Sequence, residues 1–521
     1  MSMKFPIILM TSSALLVSGC AVGGGGSTDK AAAKTLSLAI PIPPTALDIA
    51  HDFNGQSTMV QRAILDGPIK LGEDGSVQPS LAESWTEPKP GTYVFKLRKG
   101  VKFSDGTPMT ADDVAYSLQR HLDPKLASQA ASMVAMVKKV EATGDHEVTV
   151  RLKSPTPTFL SNAAIMWQVV PKKLAAAHPD DLGTPQVPTM GTGQYKVASF
   201  TKDGVKLVPN NKYWGRPALL DQVKVTTITD PEALRLAVAS GSVDGTTFIP
   251  ARDARKWTGM KDVNVSFYQS NSIGFLSLNV KEKHLANVHV RRAIAHALDR
   301  AALQRVAVGD KATPASTVVP LPQLQTLYGA QRDKVVAGLP SYDHDLAAAK
   351  AELARSPYPK GFSIRVNYDS SSNEVVDGLQ SIAADLAKIG IRVERKALPQ
   401  DVAAAKRMRH EGLTMAMSIL GYATPDPGEL LPDILGSASA KPGGYNYAQY
   451  ASPELDAKIG RMLTLRGKER QKAVTDILTE VGKQEPYVPL YYQQIGIALN
   501  KKFTGSIGTW TKNTIGAIKA R

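Results

Sequence analysis

The chain has 521 residues, a formal net charge of +15 and a single cysteine, Cys20. This length is enough for two or more lobes with large cores, and one cysteine excludes a disulfide framework and any cysteine-based metal site. The basic residues are dispersed and not interleaved with aromatic ones, which argues against nucleic-acid binding and favours an exported protein that faces anionic lipid.

The first predicted element is a secretory signal peptide over residues 1–19. Lys4 precedes a short apolar run that reaches Val17, and two small residues stand directly before Cys20. This arrangement is typical of a signal peptide, and the run is shorter than the ~20 apolar residues that span a bilayer. No later stretch is long and apolar enough to predict a transmembrane helix.

A cysteine straight after Val-Ser-Gly resembles the lipobox of bacterial lipoproteins. The resemblance implies that Cys20 becomes the lipid-bearing first residue of the mature protein, which is then tethered to the membrane rather than spanning it. The alternative is an ordinary signal peptide with an incidental cysteine. Residues 20–35 are glycine-rich and lack large apolar side chains, so they predict a flexible tether behind the anchor.

Strands are predicted wherever apolar residues alternate or β-branched residues cluster. Their expected ranges are 35–40, 93–97, 147–152, 223–228, 273–280, 363–368 and 391–395.

Helices are indicated by the residues at their ends. Thr110 and Asp113 form a candidate capping box, while Asp230 and Ser452 each combine a capping residue with a following proline. An amphipathic helix is predicted over 374–388.

Strands and helices are interspersed throughout, which predicts an α/β fold with two lobes and a cleft between them. The two units that alternate most regularly are 222–268 and 361–420.

Several blocks follow one another along the chain. They are PSLAESW and TYVFKLRKGVKFSDGTPMTADDV (79–85, 92–114), GTGQYK (191–196), NKYWG (211–215), SGSVD (240–244), VRRAI (290–294) and PLYY (489–492). In this order they resemble the family 5 solute-binding proteins of ABC importers, which include oligopeptide, dipeptide and nickel binders. The resemblance covers about residues 36–521.

The resemblance implies a two-lobed clamp like that of the periplasmic binding proteins, of class II type. Lobe one would comprise 36–275 and 490–521 with an extra subdomain at about 76–189, and lobe two would comprise 276–489. The chain would cross twice between the lobes. Two crossing strands make a hinge, and a ligand that bridges both lobes favours the closed state by its differential affinity.

The resemblance also implies where the ligand lies, in a cleft with aromatic walls and a few orienting polar groups. For each candidate residue the alternative is packing in the core or the hinge. The candidates are Phe53, Asn54, Gly55, Thr247, Phe248, Phe275, Ser277, Tyr422, Thr424, Tyr491 and Gln493.

One segment, 421–427, departs from the family's pattern. Peptide binders commonly have G-W-x-A-D-x-x-D-P, whose first aspartate holds the α-amine of the ligand, whereas this chain has GYATPDP and is two residues shorter. Tyr422 keeps the aromatic residue, Asp426 matches the closing Asp-Pro with an expected structural role, and Thr424 lies nearest to the missing aspartate. Threonine cannot form a charge-assisted bond, so we expect an anionic or neutral solute to fit better than a free α-amine.

The expected function is delivery of a peptide or peptide-like solute to the permease and ATPase subunits of an ABC importer. The protein would be a monomeric lipoprotein on the extracytoplasmic face, extracellular or periplasmic. One alternative is a non-peptide solute on the same clamp (opine-like, a sugar-phosphate conjugate or a metal chelate), and another is a ligand sensor. No H-E-x-x-H, G-x-S-x-G or phosphate-loop pattern occurs, so we expect no enzyme, cofactor or metal site.

Overall fold

The computed structural model describes residues 34–72, 74–505 and 515–521, which belong to one compact unit. The predictions for the signal peptide, for Cys20 and for most of the tether lie outside the described residues. Strands and helices mix along the chain as predicted for an α/β fold. Within the described part, no helix is long and apolar enough to cross a membrane.

The strands include one close to each of the seven predicted ranges, with the largest extension at β12, together with others that were not among those ranges. They are β1 (Thr35–Ile40), β2 (Ile69–Leu71), β3 (Val77–Pro79), β4 (Ala82–Lys89), β5 (Thr92–Leu97), β6 (Val137–Gly144), β7 (Glu147–Leu152), β8 (Tyr195–Thr201), β9 (Gly204–Pro209), β10 (Gln222–Thr227), β11 (Gly245–Pro250), β12 (Val263–Leu278), β13 (Thr313–Pro314), β14 (Phe362–Asp369), β15 (Ile391–Leu398), β16 (Met415–Gly421), β17 (Tyr487–Asn500), β18 (Phe503–Thr504) and β19 (Lys519–Ala520).

The α-helices flank these strands. They are α1 (Gly55–Ile64), α2 (Ala111–Gln119), α3 (Ala131–Val134), α4 (Phe159–Met166), α5 (Lys172–Ala177), α6 (Pro231–Ala239), α7 (Ala254–Trp257), α8 (Val288–Ala297), α9 (Arg300–Ala307), α10 (Leu321–Tyr328), α11 (Arg332–Ala337), α12 (Leu346–Ala354), α13 (Asn373–Ala387), α14 (Gln400–Met408), α15 (Pro427–Leu435), α16 (Pro453–Met462) and α17 (Gly467–Gln484).

The predicted helix starts are confirmed by their caps. The Thr110 hydroxyl accepts the Asp113 N–H at 3.2 Å and the Asp113 carboxylate accepts the Thr110 N–H at 2.8 Å, which completes a capping box before α2. Asp230 and Ser452 each accept a backbone N–H of the first turn, at 2.7 and 3.1 Å. These bonds satisfy donors that have no partner within the helix.

The largest sheet has nine strands in the order β16-β12-β17-β11-β1-β10-β9-β8, and β13 pairs with β17 off this path. β1 runs parallel to β10 and β11, whereas β12 and β17 pair antiparallel with two register shifts. A four-stranded antiparallel sheet, β4-β5-β7-β6, lies apart from it. β12 and β17 are the strands on which the two predicted lobe crossings fall, and the division into lobes stays a prediction.

Buried apolar side chains form several clusters rather than one. In the cluster beside the four-stranded sheet, the Phe95 and Trp167 rings meet edge-on with centroids 5.1 Å apart. A second cluster joins α8, α9 and α13 to the parallel pair β14-β15, and a third surrounds Phe275 and Tyr487 on the paired strands β12 and β17.

Candidate ligand-binding site

Two adjoining cavities lie beside the turn and helix at 421–435. Their volumes are about 920 Å³ and about 580 Å³. The larger volume is within the range of ligand-binding clefts in proteins. Phe53, Gly421, Tyr422 and Ala423 line both cavities and therefore stand where the two meet.

The turn before α15 is held by a buried ion pair. Asp426 caps the helix by accepting the Gly428 N–H at 2.7 Å, and Pro427 takes the first helical position. Arg470 of α17 donates two bonds to the same carboxylate, at 2.8 and 2.6 Å. Both side chains are buried, so the role of Asp426 is structural, as expected from the sequence.

Thr424 is fully buried, and its hydroxyl points to the helix that follows it. The hydroxyl donates to Glu429 Oε2 at 2.9 Å, while the Thr424 carbonyl accepts from Gln323 Nε2 at 3.2 Å. The residue nearest to the missing aspartate therefore positions another carboxylate.

Glu429 and Asp433 of α15 bring two carboxyl groups to the larger cavity. They stand one helical turn apart on the same face. The Tyr422 hydroxyl donates to Asp433 Oδ2 at 3.2 Å. Neither acid was predicted from the sequence, although the two acids stand four residues apart just after Asp426 and Pro427.

The surroundings of Glu429 disfavour its charged form. Burial raises its pKa to about 7; the Thr424 and Asn162 side chains act in the opposite direction as hydrogen-bond partners, and the charges of Asp426 and Asp433 raise it further. Burial also raises the pKa of Asp433, against the hydrogen bond from Tyr422. Two carboxyl groups with raised pKa values in one cavity are typical of a functional site.

Asn162 of α4 lines the same cavity, next to Glu429. Its side chain is 2% exposed and Nδ2 donates to the Met133 carbonyl at 2.9 Å. Oδ1 has no hydrogen-bond partner within the described residues. A buried acceptor without a donor is costly.

Of the predicted site residues, Phe53 and Tyr422 lie together on the cavity walls. Asn54 caps α1, because its Oδ1 accepts the N–H groups of Gln56 and Ser57 at 3.0 Å each. Gly55 is the first residue of that helix. The structure thus gives Asn54 and Gly55 a part in positioning Phe53, and their contact with a ligand stays a prediction.

The residues predicted on the long strands are placed in packed surroundings. Phe275 is fully buried and meets the Tyr487 ring edge-on, with centroids 5.1 Å apart. The Ser277 hydroxyl donates to the Ala416 carbonyl at 3.0 Å. Tyr491 is also fully buried, and its hydroxyl donates to Glu374 Oε1 at 2.6 Å. These contacts favour the alternative of core or hinge packing for all three.

Three further candidates do not line either cavity. Thr247 and Phe248 are half-buried on β11. Gln493 is half-buried on β17, and its carbonyl accepts from Gln269 Nε2 at 3.2 Å and from the Ser270 hydroxyl at 2.8 Å. A ligand contact for these residues stays a prediction.

Residues 76–442 match the family model of bacterial extracellular solute-binding proteins, family 5 middle. The chain belongs to the family 5 solute-binding proteins. This confirms the predicted family and its clamp-type α/β fold, and it supports binding rather than catalysis at the level of the family. Family 5 members work outside the cytoplasm and deliver ligands to ABC permease and ATPase subunits.

Similar proteins carry different ligands in their names or solved complexes. The chain is 27% identical over 485 residues to the glutathione-binding protein GsiB of Salmonella paratyphi A, covering 91% of this chain and 92% of that protein. DppA of Helicobacter pylori, solved with the peptide STSA, is 25% identical with a TM-score of 0.75 over 93% of this chain and 98% of that one. NikA of Brucella suis, solved with Fe(III)-EDTA, is 22% identical with a TM-score of 0.79 over 94% and 100%.

Proposed function

We propose that this protein captures a peptide or peptide-like solute outside the cytoplasm and delivers it to the permease of an ABC importer. The observation that carries the proposal is the cavity of about 920 Å³, with Phe53 and Tyr422 on its walls together with polar and acidic side chains. Its size suits a short peptide, and its relatives include GsiB and the peptide complex of DppA.

In the proposed mechanism, solute enters the open cleft and the predicted lobes close on it, bending at β12 and β17. The closed form docks on the permease, and the partner ATPase supplies the energy. Closure is supported by ion pairs between the predicted lobes: Arg466 binds Glu87 at 2.8 Å and Arg252 lies 3.4 Å from Asp377. A ligand that contacts both walls shifts the population toward this closed form.

We further propose that a lipid on Cys20 holds the protein on the extracytoplasmic face of a membrane, as a monomer at the end of a glycine-rich tether. The lipobox-like sequence supports this anchoring.

A second candidate is a non-peptide solute on the same clamp. The observation that favours it is the segment 421–427, which is two residues shorter than the peptide-binder pattern and lacks its anchoring aspartate. NikA with Fe(III)-EDTA is a family 5 relative solved with such a solute.

Native mass spectrometry of the purified protein tests the proposal by identifying any co-purified solute. A thermal-shift screen with short peptides, glutathione and metal chelates follows, since a ligand at a hundred times its Kd adds about 2.7 kcal/mol of stability. A peptide adduct or a peptide-induced rise in Tm supports the first candidate. Stabilisation by chelates alone replaces it with the second, and no response to any solute contradicts both.

A further inference from the structure

We propose that one edge of the nine-stranded sheet binds the anionic phospholipid headgroups of a membrane. At this edge β1 begins and β17 ends, and eight exposed Lys and Arg side chains lie there, which we call the basic edge. Its members are Lys34, Lys212, Arg216, Lys261, Lys501, Lys502, Lys519 and Arg521. The inference rests on the proposed anchoring through Cys20 and adds the surface with which the anchored protein contacts the membrane.

Backbone pairing brings the first three members together. Lys34 stands directly before β1, and its carbonyl accepts the N–H of Asp221 at 3.0 Å, just before β10. β9 and β10 are neighbouring antiparallel strands, so the connection between them, which carries Lys212 and Arg216, lies at the same edge.

The other five members reach this edge at the end of β17. The Lys501 N–H donates to the Asp262 carbonyl at 2.7 Å, which puts Lys261 close by, and the Arg521 N–H donates to the Lys502 carbonyl at 2.9 Å. The fifth lies on β19, which pairs with β18. Since β11 stands between β1 and β17 in the sheet, the two groups of cations share one edge.

The basic edge carries more positive charge than the acids beside it compensate. Asp244 forms an ion pair with Lys502 at 2.6 Å, and within the described residues this is the one member of the basic edge in an ion pair. The Asp221 carboxylate accepts the Lys34 backbone N–H at 2.8 Å, and Asp262 is exposed. The remaining cations are open to a partner of opposite charge, which an anionic lipid surface supplies.

The position of the basic edge suits an anchored protein. Cys20 and Lys34 are 14 residues apart, so the chain between them spans at most about 50 Å. β12 runs from this edge to the smaller cavity, where Gln269 lies about 20 Å from Val263. A membrane against the basic edge therefore leaves the cavity walls clear of the headgroups.

One apolar side chain, Leu219, stands among these charges. It is 47% exposed and lies between Arg216 and Asp221 in the β9–β10 connection. Proteins that bind a membrane surface place apolar side chains below the headgroups and cations among them. Leu219 thus favours lipid over a soluble polyanion, which has no apolar phase.

The test measures binding of the purified full-length protein to vesicles without a lipid on the chain. Cys20→Ala is used throughout, and any contribution of residues 1–19 is common to all samples. Vesicles of phosphatidylcholine alone, or of equal parts phosphatidylcholine and phosphatidylglycerol, are sedimented with the protein. We expect about 100-fold tighter binding to the anionic vesicles at about 0.1 M NaCl and no difference at about 1 M, where the Debye length falls to roughly 3 Å.

Two variants with the same net charge assign the binding to the basic edge, and each replaces four exposed lysines by glutamine. The first changes Lys34, Lys261, Lys501 and Lys519, and the control changes Lys138, Lys350, Lys396 and Lys468, which are dispersed elsewhere. The first should bind anionic vesicles about 25-fold more weakly or worse, the effect of two lysines at roughly five-fold each. The control should lose no more than about five-fold.

A second pair of variants tests the lipid itself. Leu219→Ser should weaken binding to anionic vesicles by several-fold. Ile42→Ser, which changes a residue that is 48% exposed beyond the opposite end of β1, should leave it unchanged. Circular dichroism and Tm confirm that each variant is folded.

The outcomes separate this inference from the proposed function. Equal binding to both kinds of vesicle, or equal loss in the two four-lysine variants, would show that the basic edge does not bind a membrane, while solute capture and the anchor on Cys20 stand. If inositol hexakisphosphate binds through the same four lysines as tightly as the vesicles do, the partner is a soluble polyanion and the membrane assignment is wrong. Loss of the anchor in cells with intact vesicle binding would contradict only the lipid on Cys20.

Discussion

Asp426 and Arg470 form a two-bond ion pair, 2.8 and 2.6 Å, that joins the start of α15 to α17. Asp426 also caps α15, so one carboxylate fixes both the direction of the helix and its distance from the neighbouring one. Because α15 carries Glu429 and Asp433, this pair positions the acidic wall of the cavity without lining it.

Asp426→Asn should lower the free energy of unfolding by about 3 kcal/mol, because it leaves the buried Arg470 guanidinium without its counter-charge. Urea unfolding followed by circular dichroism measures the loss. Asp476→Asn on α17, the helix that carries Arg470, is the matched control, since its partner Lys472 is 75% exposed and the pair should contribute less than about 1 kcal/mol. Equal losses in both variants would contradict a structural role for the Asp426 pair.

The buried carboxyl of Glu485 should make the folded protein less stable as pH rises. Its side chain is 3% exposed, Oε1 has no partner within the described residues, and burial raises its pKa to about 8 against the nearby charges of Arg300 and Arg291. Between the unfolded-state pKa, roughly 4.3, and about 8 the folded state holds a proton that the unfolded state releases. Stability from this group is therefore lost as pH increases through that window.

Glu485→Gln removes this loss. The variant should be more stable than the unmodified protein, and this gain should be larger at pH 9 than at pH 5. The two gains should differ by on the order of 3 kcal/mol in unfolding free energy. Differential scanning calorimetry at the two pH values measures it, with the exposed Glu83→Gln as control. A gain of the same size at both pH values would show that the effect is packing and not ionisation.

Arg466 should help to hold the clamp in its closed form. It binds both carboxylate oxygens of Glu87 and the Tyr93 hydroxyl at 3.1 Å, and the predicted division puts these partners in the other lobe. Arg466→Gln should weaken solute binding by a few-fold, mainly through faster dissociation, since a half-exposed pair is worth less than about 1 kcal/mol. Stopped-flow measurement of the solute release rate tests this. The exposed Arg461→Gln is the control and should leave the release rate unchanged. An unchanged release rate in Arg466→Gln would argue against a closing contact.

Ligand binding should depend on pH through Glu429. Burial raises the pKa of its carboxyl to about 7, so this group, which lines the larger cavity, gains its negative charge as pH rises through that value. The affinity for a solute that binds in this cavity should therefore change between pH 5.5 and 7.5, with a change in the number of bound protons. Calorimetry in buffers of different ionisation enthalpy measures that number. Glu429→Gln should flatten the profile, and a persistent slope in that variant would assign the proton to another group.

Cys20→Ala should move the protein from the membrane fraction to the soluble fraction or the medium, because one residue would carry the whole anchor. Cell fractionation and immunoblotting measure the change, with Ser18→Ala as a neighbouring substitution. Continued membrane association of Cys20→Ala would show that lipid on this residue is not the attachment.

Local signals predicted the local structure well. Asp230, Ser452 and the 374–388 periodicity each gave a helix at the expected place, since caps and amphipathic faces act within a few residues. β12 begins at Val263, well before the predicted range, because its first half pairs with β17 and continues through the polar stretch 269–272 into the predicted strand. Pairing between distant strands leaves no such local signal.

The site was predicted less completely, and for a related reason. The family resemblance implied a second crossing strand near Tyr491, but it does not reveal which face of that strand looks toward the cavity. In the structure the Tyr491 hydroxyl bonds to the distant Glu374. Conversely, the lost aspartate near Thr424 drew attention to a missing charge in the loop. Glu429 lies on the next element, where only the folded chain shows that it shares a cavity with Asn162.

The four residues common to both cavities, Phe53 and the turn Gly421 to Ala423, form a partition supplied by two short connections. Neither connection belongs to the interior of the nine-stranded sheet. We expect insertions or deletions there to change the shape of both cavities at once and to leave the pairing of the long strands intact.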